Sequence, residues 1–238
     1  VKNDEKNIEK TIKSIITQKS INFEYIIIDG GSSDNTLKIV KKYKKFIKKI
    51  ISKKDKGIYH AMNIGIKNSK KDIIVFCNSG DFFYKNSLKK VIKIFDRRNI
   101  DFLFGTVVRN YTKGKIIKYG FNTKRIFYNF DFATAHSTGF FLKKKIYKKI
   151  GLYNLKFKCS SDYDLYMRLI NQKYSGGSTK KSDLIGNVAS GGFSSKISFF
   201  SHLMEETKIR LHNKQNIFFV SLIFCNSLTK YFLKKIFN

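Results

Sequence analysis

Glu24-Tyr25-Ile26-Ile27-Ile28-Asp29-Gly30-Gly31-Ser32-Ser33-Asp34 runs from a strand into a helix, and that passage decides the fold. Phe23 to Ile28 is a continuous apolar run of strand length, too unbroken to leave one face in water, and it ends on a carboxylate and two glycines. The glycines turn the chain and Ser32 or Ser33 can cap a helix, whose inner stripe is Leu37, Val40 and Tyr43. Strand, glycine turn and capped helix are the repeating unit of a sheet covered on both faces.

The same alternation extends outward. Upstream, Ile8, Ile12, Ile15 and Ile16 recur at helical spacing behind a cap at Asn3 or Asp4. Downstream come a short strand at Ile50-Ile51, a helix face of Ile58, Ala61, Met62 and Gly65, and an apolar strand from Ile73 to Cys77. A fourth helical stripe follows at Leu88, Val91, Ile92 and Phe95, then a strand from Phe102 to Val107. The second half reads differently: a hairpin over Tyr111 to Tyr119, a strand from Gly139 to Leu142, a helix from Asp162 to Asn171 and a strand from Leu184 to Val188. The predicted architecture is α/β and Rossmann-like, with a mostly parallel central sheet. It spans residues 1–213, divided into a nucleotide-binding half at 1–108 and a mixed half at 109–213. Residues 214–238 form a helical tail in which Ile217 to Cys225 is almost wholly apolar and Lys230, Lys234 and Lys235 follow. That run is short of the roughly 20 residues a spanning helix needs, so a basic amphipathic helix lying on a membrane surface is expected.

Composition narrows the partners. Lys and Arg number 48 against 17 acidic residues, a formal charge of +31 that attracts nucleic acid, anionic lipid or phosphorylated substrates. Hydrophobic residues at 42% exclude a disordered chain. Cys77, Cys159 and Cys225 lie far apart, which excludes a disulfide framework or a zinc site and suits a reducing cytoplasm. No helix-turn-helix, zinc knuckle or aromatic RNA-binding motif is present, so no specific nucleic-acid partner is expected.

Open α/β sheets bind ligands outside the carboxyl ends of their strands. Asp29, Asp55 and Asp81 all fall at such ends, in a chain with few acidic residues to spare. Asp29 precedes glycines that let backbone approach a ligand, so a carboxylate accepting from a nucleobase or ribose fits there, and Asp55 can serve similarly. Asp81, in Cys77-Asn78-Ser79-Gly80-Asp81, suits Mg²⁺ or Mn²⁺, which prefer oxygen donors and commonly take one or two carboxylates plus substrate phosphates. Asp162 and Asp164 open a helix, where they either complement its dipole or supply a general base; Asp162 is the first choice and Asp164 the reserve.

Four blocks stand in order: Glu24 to Asp34; Asp55-Lys56-Gly57-Ile58-Tyr59 with Ala61-Met62-Asn63 and Gly65-Ile66; Asn78-Ser79-Gly80-Asp81; and Ser161-Asp162-Tyr163-Asp164-Leu165 with Arg168-Leu169. Together they resemble family 2 of the glycosyltransferases, of GT-A fold, in the branch that builds surface polysaccharides such as colanic acid. The resemblance runs from Asn3 to about Asn213. It implies an inverting, single-addition transfer from a nucleotide-sugar, with a UDP-sugar as the expected donor. Asp29 and Asp55 would hold the nucleoside, with Gly30, Ser32, Asn63 and Gly80 lining the donor site. Asp81 would bind Mn²⁺ or Mg²⁺ on the diphosphate, and Asp162 would deprotonate the acceptor. His136 would face the acceptor or the diphosphate, and Gly191-Gly192-Phe193-Ser194 would be a loop closing over the donor. The implied acceptor is lipid-linked or an oligosaccharide for capsule or lipopolysaccharide. The implied location is cytoplasmic, peripheral on the inner face of the cytoplasmic membrane and in contact with its anionic surface.

Three departures stand out. The first strand is nearly absent before Val1, Gly80 replaces a frequent Asp, and His60 replaces another. The first two motivate the alternative of a catalytically inactive interaction protein of the same fold, against which the retention of Asp29, Asp81 and Asp162 argues. A nucleic-acid-binding protein, suggested by charge alone, is the remaining alternative.

Overall fold

In the computed structural model, which describes residues 1–19, 21–124 and 136–236, the first hundred residues alternate strand and helix as their hydrophobic periods require. Helix α1 (Ile8–Ile16) buries Ile8, Thr11, Ile12 and Ile15, the i, i+3, i+4, i+7 face of an amphipathic helix. Strand β1 (Ile26–Asp29) pairs in parallel with β2 (Lys49–Ser52), and α2 (Thr36–Lys42) crosses between them. Val1 extends this sheet in parallel-ladder fashion: its nitrogen donates to the Ile28 carbonyl at 2.8 Å, and the Gly30 amide donates to the Val1 carbonyl at 2.9 Å. Helix α3 (Ile58–Asn68) packs on β1. Then follow β3 (Ile73–Val75), β4 (Phe82–Phe83), α4 (Ser87–Arg97), β5 (Phe102–Phe104), the hairpin of β6 (Thr106–Tyr111) and β7 (Gly114–Lys118), β8 (Phe140–Lys143), α5 (Lys144–Ile150), β9 (Gly176–Ser178) and β10 (Leu184–Val188).

The α/β class is as expected, but the sheets are mixed. One has the order β3-β8-β5-β9 and another β4-β10-β6-β7. β8 is antiparallel to both β3 and β5, with Ile74 opposite Leu142 and Leu103 opposite Phe141. β3 and β5 therefore run the same way, as a helix crossover demands, yet they do not touch. A strand from downstream has been inserted between them. Periodicity reports which residues form strands, not which strand arrives later to separate two others; three of the four strands in this sheet still run one way, in keeping with the mostly parallel central sheet expected.

The predicted strand from Phe102 to Val107 is two strands in two sheets. The chain changes sheet at Gly105, where any Cβ would stand 2.8 Å from Ile185 Cγ1 of β10. Around this corner the core is dense: Ile15, Phe83, Leu88, Val91, Phe95, Leu103, Phe141 and Ile185 form one buried cluster. Each such side chain withdrawn from water contributes about 1.5–3 kcal/mol before chain entropy is charged against it. The helix cap expected from Ser32 or Ser33 does not form there: the N-cap position is Asn35, which makes no side-chain cap bond, and Asp34 just before it accepts the amides of Thr36 at 3.0 Å and Glu5 at 3.1 Å.

By contact the chain forms two units. Val1–Phe121, Ala133–Leu152 and Tyr174–Ser190 make the first; Asn122–Phe132, Tyr153–Lys173 and Gly191–Asn238 make the second. They cut across the linear halves 1–108 and 109–213, because two later segments return to the first unit. Within the second unit, α6 (Ser161–Asn171) buries Tyr163, Leu165, Tyr166, Met167 and Leu169. Helix α7 (Phe199–His212) is followed by α8 (Ile217–Ile236), and α8 stacks Tyr231 on Phe199 with ring centroids 4.1 Å apart. Phe218 and Leu222 of α8 remain 79% and 68% exposed. Among the described residues no helix is long and apolar enough to cross a membrane.

Candidate functional site

The end of β1 is organised by Asp29. Its carboxylate is fully buried and accepts four hydrogen bonds, from the amides of Gly31 (3.1 Å) and Ser32 (3.0 Å) and the hydroxyls of Ser32 (2.5 Å) and Ser52 (2.7 Å). Burial alone would raise this carboxyl; the bonds from Ser32, Ser52 and Gly31 outweigh it and hold it below the usual value. Ser32 Oγ also accepts the Asn3 amide at 2.8 Å, tying the loop to the start of the chain. Asp55 closes the cluster. Its Oδ1 accepts the Gly57 amide at 3.0 Å, while its Oδ2 lies where a Cβ on Gly30 would approach to 2.5 Å. Gly30 thus holds a space that Asp55 fills, and Gly31, at φ +78° with Lys54 backbone 3.2 Å from its missing Cβ, makes the turn. Asn63 is buried on α3, the helix packed on β1.

A second cluster forms after β3. Asn78 to Asp81 is a tight turn, the Asp81 amide donating to the Asn78 carbonyl at 3.0 Å, with Gly80 at φ +91°. Thr11 of α1 clamps it: its hydroxyl accepts the Gly80 amide at 3.0 Å and donates to the Asp81 carbonyl at 2.7 Å. That left-handed conformation favours glycine and accounts for Gly80 without loss of the site. The Asp81 carboxylate is buried, with Oδ1 accepting the Ala189 amide at 2.9 Å and Oδ2 the Thr138 hydroxyl at 2.8 Å. Burial pushes its pKa up to about 6, against the pull of these bonds and of the Arg109 charge.

His136 stands beside it, Nδ1 3.6 Å from Asp81 Oδ2. Burial, aided by Arg109, pushes the imidazole down to about 4, so it is neutral at pH 7 and the contact is not an ion pair. Nδ1 accepts the Thr138 amide at 3.4 Å, which assigns the ring proton to Nε2. That amide takes the one lone pair of Nδ1, so the donors left for a divalent cation are the second lone pairs of the Asp81 carboxylate oxygens, the hard oxygen ligands that such an ion prefers. Among the described residues no group of three or more His, Cys, Asp or Glu is gathered, so substrate oxygens and water would complete such a shell.

In the second unit the two candidate bases part company. Asp164 is fully buried and committed: Oδ2 accepts Arg168 Nε at 2.9 Å and Oδ1 accepts Asn213 Nδ2 at 3.0 Å, binding α6 to the end of α7. Asp162, on the half-exposed side of the first turn, accepts the Tyr163 amide at 2.9 Å through Oδ1. The segment leading into this turn is held by Glu205 of α7, which accepts the Lys158 amide, the Cys159 amide at 2.7 Å and the Cys159 thiol at 2.6 Å. Burial first, and this carboxylate next, push the Cys159 thiol up to about 12. The neighbouring Glu206 is pushed up to about 8 by burial, against Arg210 and with help from the charges of Asp162 and Glu205.

The structure thus brings Asp29, Gly30, Ser32 and Asp55 into one cluster, and Gly80, Asp81 and His136 into another. Asp162 and Asp164 belong to the second unit. Sequence reasoning missed Thr11, Thr138, the Ala189 amide, Arg109 and Glu205. Thr138 lay two residues from a flagged histidine, whereas a backbone amide leaves no trace in a sequence.

Comparison with known proteins gives the following. The family model described as Glycosyl transferase family 2 matches residues 1–160. An uncharacterized glycosyltransferase of Rickettsia conorii is 37% identical over 112 residues, 46% of this chain and 18% of that protein. The poly(ribitol-phosphate) beta-N-acetylglucosaminyltransferase TarP of Staphylococcus aureus is 33% identical over 108 residues, 43% of this chain and 33% of TarP. The matches therefore span about a fifth to a third of the length of these relatives. Among solved structures, S. aureus TarS 1–349 in complex with UDP superposes with a TM-score of 0.73 at 18% identity, covering 98% of this chain and 70% of that one. That likeness carries the GT-A fold.

Proposed function

The chain belongs to glycosyl transferase family 2, and from that premise we propose that it transfers a sugar, with inversion and one residue at a time, from a UDP-sugar to a hydroxyl of a lipid-linked or oligosaccharide acceptor in surface-polysaccharide synthesis. The observation that carries this reading is the buried Asp81 carboxylate facing the neutral His136 at the end of a strand. Asp29, Gly30, Ser32, Asp55 and Asn63 form the nucleoside end of the donor site, and Gly80 and Asp81 its diphosphate end. Asp81, with His136 beside it, would hold Mn²⁺ or Mg²⁺, which when bound supplies positive charge to the departing diphosphate. Asp162 takes the proton of the acceptor hydroxyl as its oxygen bonds to the anomeric carbon and the bond from that carbon to the diphosphate breaks.

Calorimetric titration of UDP into the protein tests the donor site. Binding is expected, and tightening by Mn²⁺ is expected with it; a folded sample that takes up neither UDP nor UDP-sugars under either condition would refute the assignment.

The Gly30 and Gly31 variants separate two effects. Gly30→Ala meets the far end of a side chain, so it displaces the Asp55 carboxylate at little cost to folding and weakens UDP by about tenfold, or 1.4 kcal/mol. Gly31→Ala meets backbone at a positive φ and lowers stability by about 1–2 kcal/mol. Denaturant melts and UDP titrations of both distinguish them, and a Gly30→Ala protein of unchanged UDP affinity counts against Asp55 as a nucleoside ligand.

We also assign α8 to the membrane surface, at the inner face of the cytoplasmic membrane. Exposed Ile217, Phe218, Leu222 and Ile236 alongside Lys230 and Lys235, in a chain of +31, suit an anionic interface. Phe218→Asp with Leu222→Asp should release the protein from phosphatidylglycerol vesicles in a sedimentation assay. Sedimentation equal to that of the unaltered protein excludes this contact.

A further inference from the structure

Arg109 is a half-buried cation whose guanidinium lies over the Tyr111 ring at 5.3 Å and has no hydrogen bond or ion pair among the described residues. Its position is fixed by β6. Arg109 is in register with Val188 of β10, and the next residue, Ala189, donates its amide to Asp81 Oδ1 at 2.9 Å. The turn Ser137–Gly139, which carries Thr138, packs on both β6 and β10. Three segments therefore bring Asp81, His136 and Arg109 to one edge of the sheet, and the Arg109 charge is felt at both of the other groups.

Asp81 does not pair with Arg109; its two oxygens are taken by Thr138 and Ala189. A guanidinium offers five donors in a planar fork matched to carboxylate and phosphate, and withdrawing it from water without an anion is unfavourable. We propose that Arg109 binds the diphosphate of the nucleotide donor, adding a fixed positive charge that acts with or without a divalent ion. The assignment rests on the donor-site reading and adds to it a residue that none of the four sequence blocks contains. It also gives the leaving diphosphate a bidentate partner on a rigid strand.

The test compares UDP and uridine binding to the unaltered protein, Arg109→Gln and Arg109→Lys, in EDTA and again in Mn²⁺, with uridine followed by saturation-transfer NMR. The unaltered protein is expected to bind UDP more tightly than uridine even in EDTA. Arg109→Gln is expected to lose about tenfold or more in UDP affinity in EDTA with uridine unchanged, and Arg109→Lys to retain part of the preference. Unchanged uridine binding shows that the nucleoside end is intact and separates loss of a phosphate contact from loss of the fold. UDP affinity of Arg109→Gln within twofold of the unaltered protein overturns the proposal, as does equal weakening of UDP and uridine. UDP binding by the unaltered protein that vanishes altogether in EDTA overturns the metal-independent charge. An unaltered protein that binds no UDP in either condition overturns the donor-site reading, and the Arg109 assignment falls with it.

Discussion

Asp162→Asn is expected to lower sugar transfer by about 10²–10⁴-fold, the range for removing a positioned general base, while leaving UDP affinity and the melting temperature close to those of the unaltered protein. Both halves of that expectation come from the first turn of α6. Asp162 lies on its half-exposed side, and its bond from the Tyr163 amide is one that an asparagine carbonyl reproduces. The fold therefore loses little and proton acceptance is lost outright. Asp164 is the internal comparison. Its carboxylate is bonded to Arg168 and Asn213 inside the second unit, so Asp164→Asn should show as a fall in stability, with breakage of a buried pair costing about 3–5 kcal/mol. Steady-state rates beside thermal melts for the two variants decide the matter. A stable, inactive Asp164→Asn protein together with an active Asp162→Asn protein would reverse the roles.

Asp81→Asn is expected to abolish the tightening of UDP by Mn²⁺, a loss of at least about 100-fold in metal-dependent affinity. Asparagine is the informative replacement because it nearly keeps the shape. Its carbonyl can still accept from Ala189 and its amide can donate to the Thr138 hydroxyl, so the buried partners stay satisfied. Alanine would strand both at about 1–3 kcal/mol each and confuse folding with binding. What asparagine removes is negative charge, and with it attraction for a divalent cation. Titrations of UDP with and without Mn²⁺ measure the difference directly. Equal Mn²⁺ dependence in Asp81→Asn and the unaltered protein would move the metal away from this carboxylate.

Strand and helix periods were legible wherever a segment buries one face locally. Ile8, Ile12 and Ile15 announce α1, and the unbroken runs at Ile26 to Ile28 and Ile73 to Val75 announce their strands. What escaped lacked a local signal. β4 is two residues long, β9 is Gly176–Ser178, and in α5 four of the seven residues are lysine. The carboxylates were legible because strand ends are where ligands bind in such sheets. Their division of labour was not. Asp29 spends three acceptances on its own loop and a fourth on Ser52, and Asp164 is tied into the second unit, facts set in part by Ser52 and Asn213 at 23 and 49 residues' distance. Arg109 was one of 48 basic residues until the register of β6 with β10 singled it out.

The insertion of β8 between β3 and β5 also constrains the order of events as the chain folds. β3 and β5 have no direct ladder with each other, so neither gains its inner partner until residues 140–143 arrive. A nascent chain ending before Phe140 would carry two unpaired, apolar strand edges, the kind of surface that recruits other chains. Docking β8 closes both at once, at the entropic cost of a long loop. Completion of this sheet is therefore a late, non-local step, and the interval before it is when the emerging chain is most exposed to aggregation and most in need of chaperones.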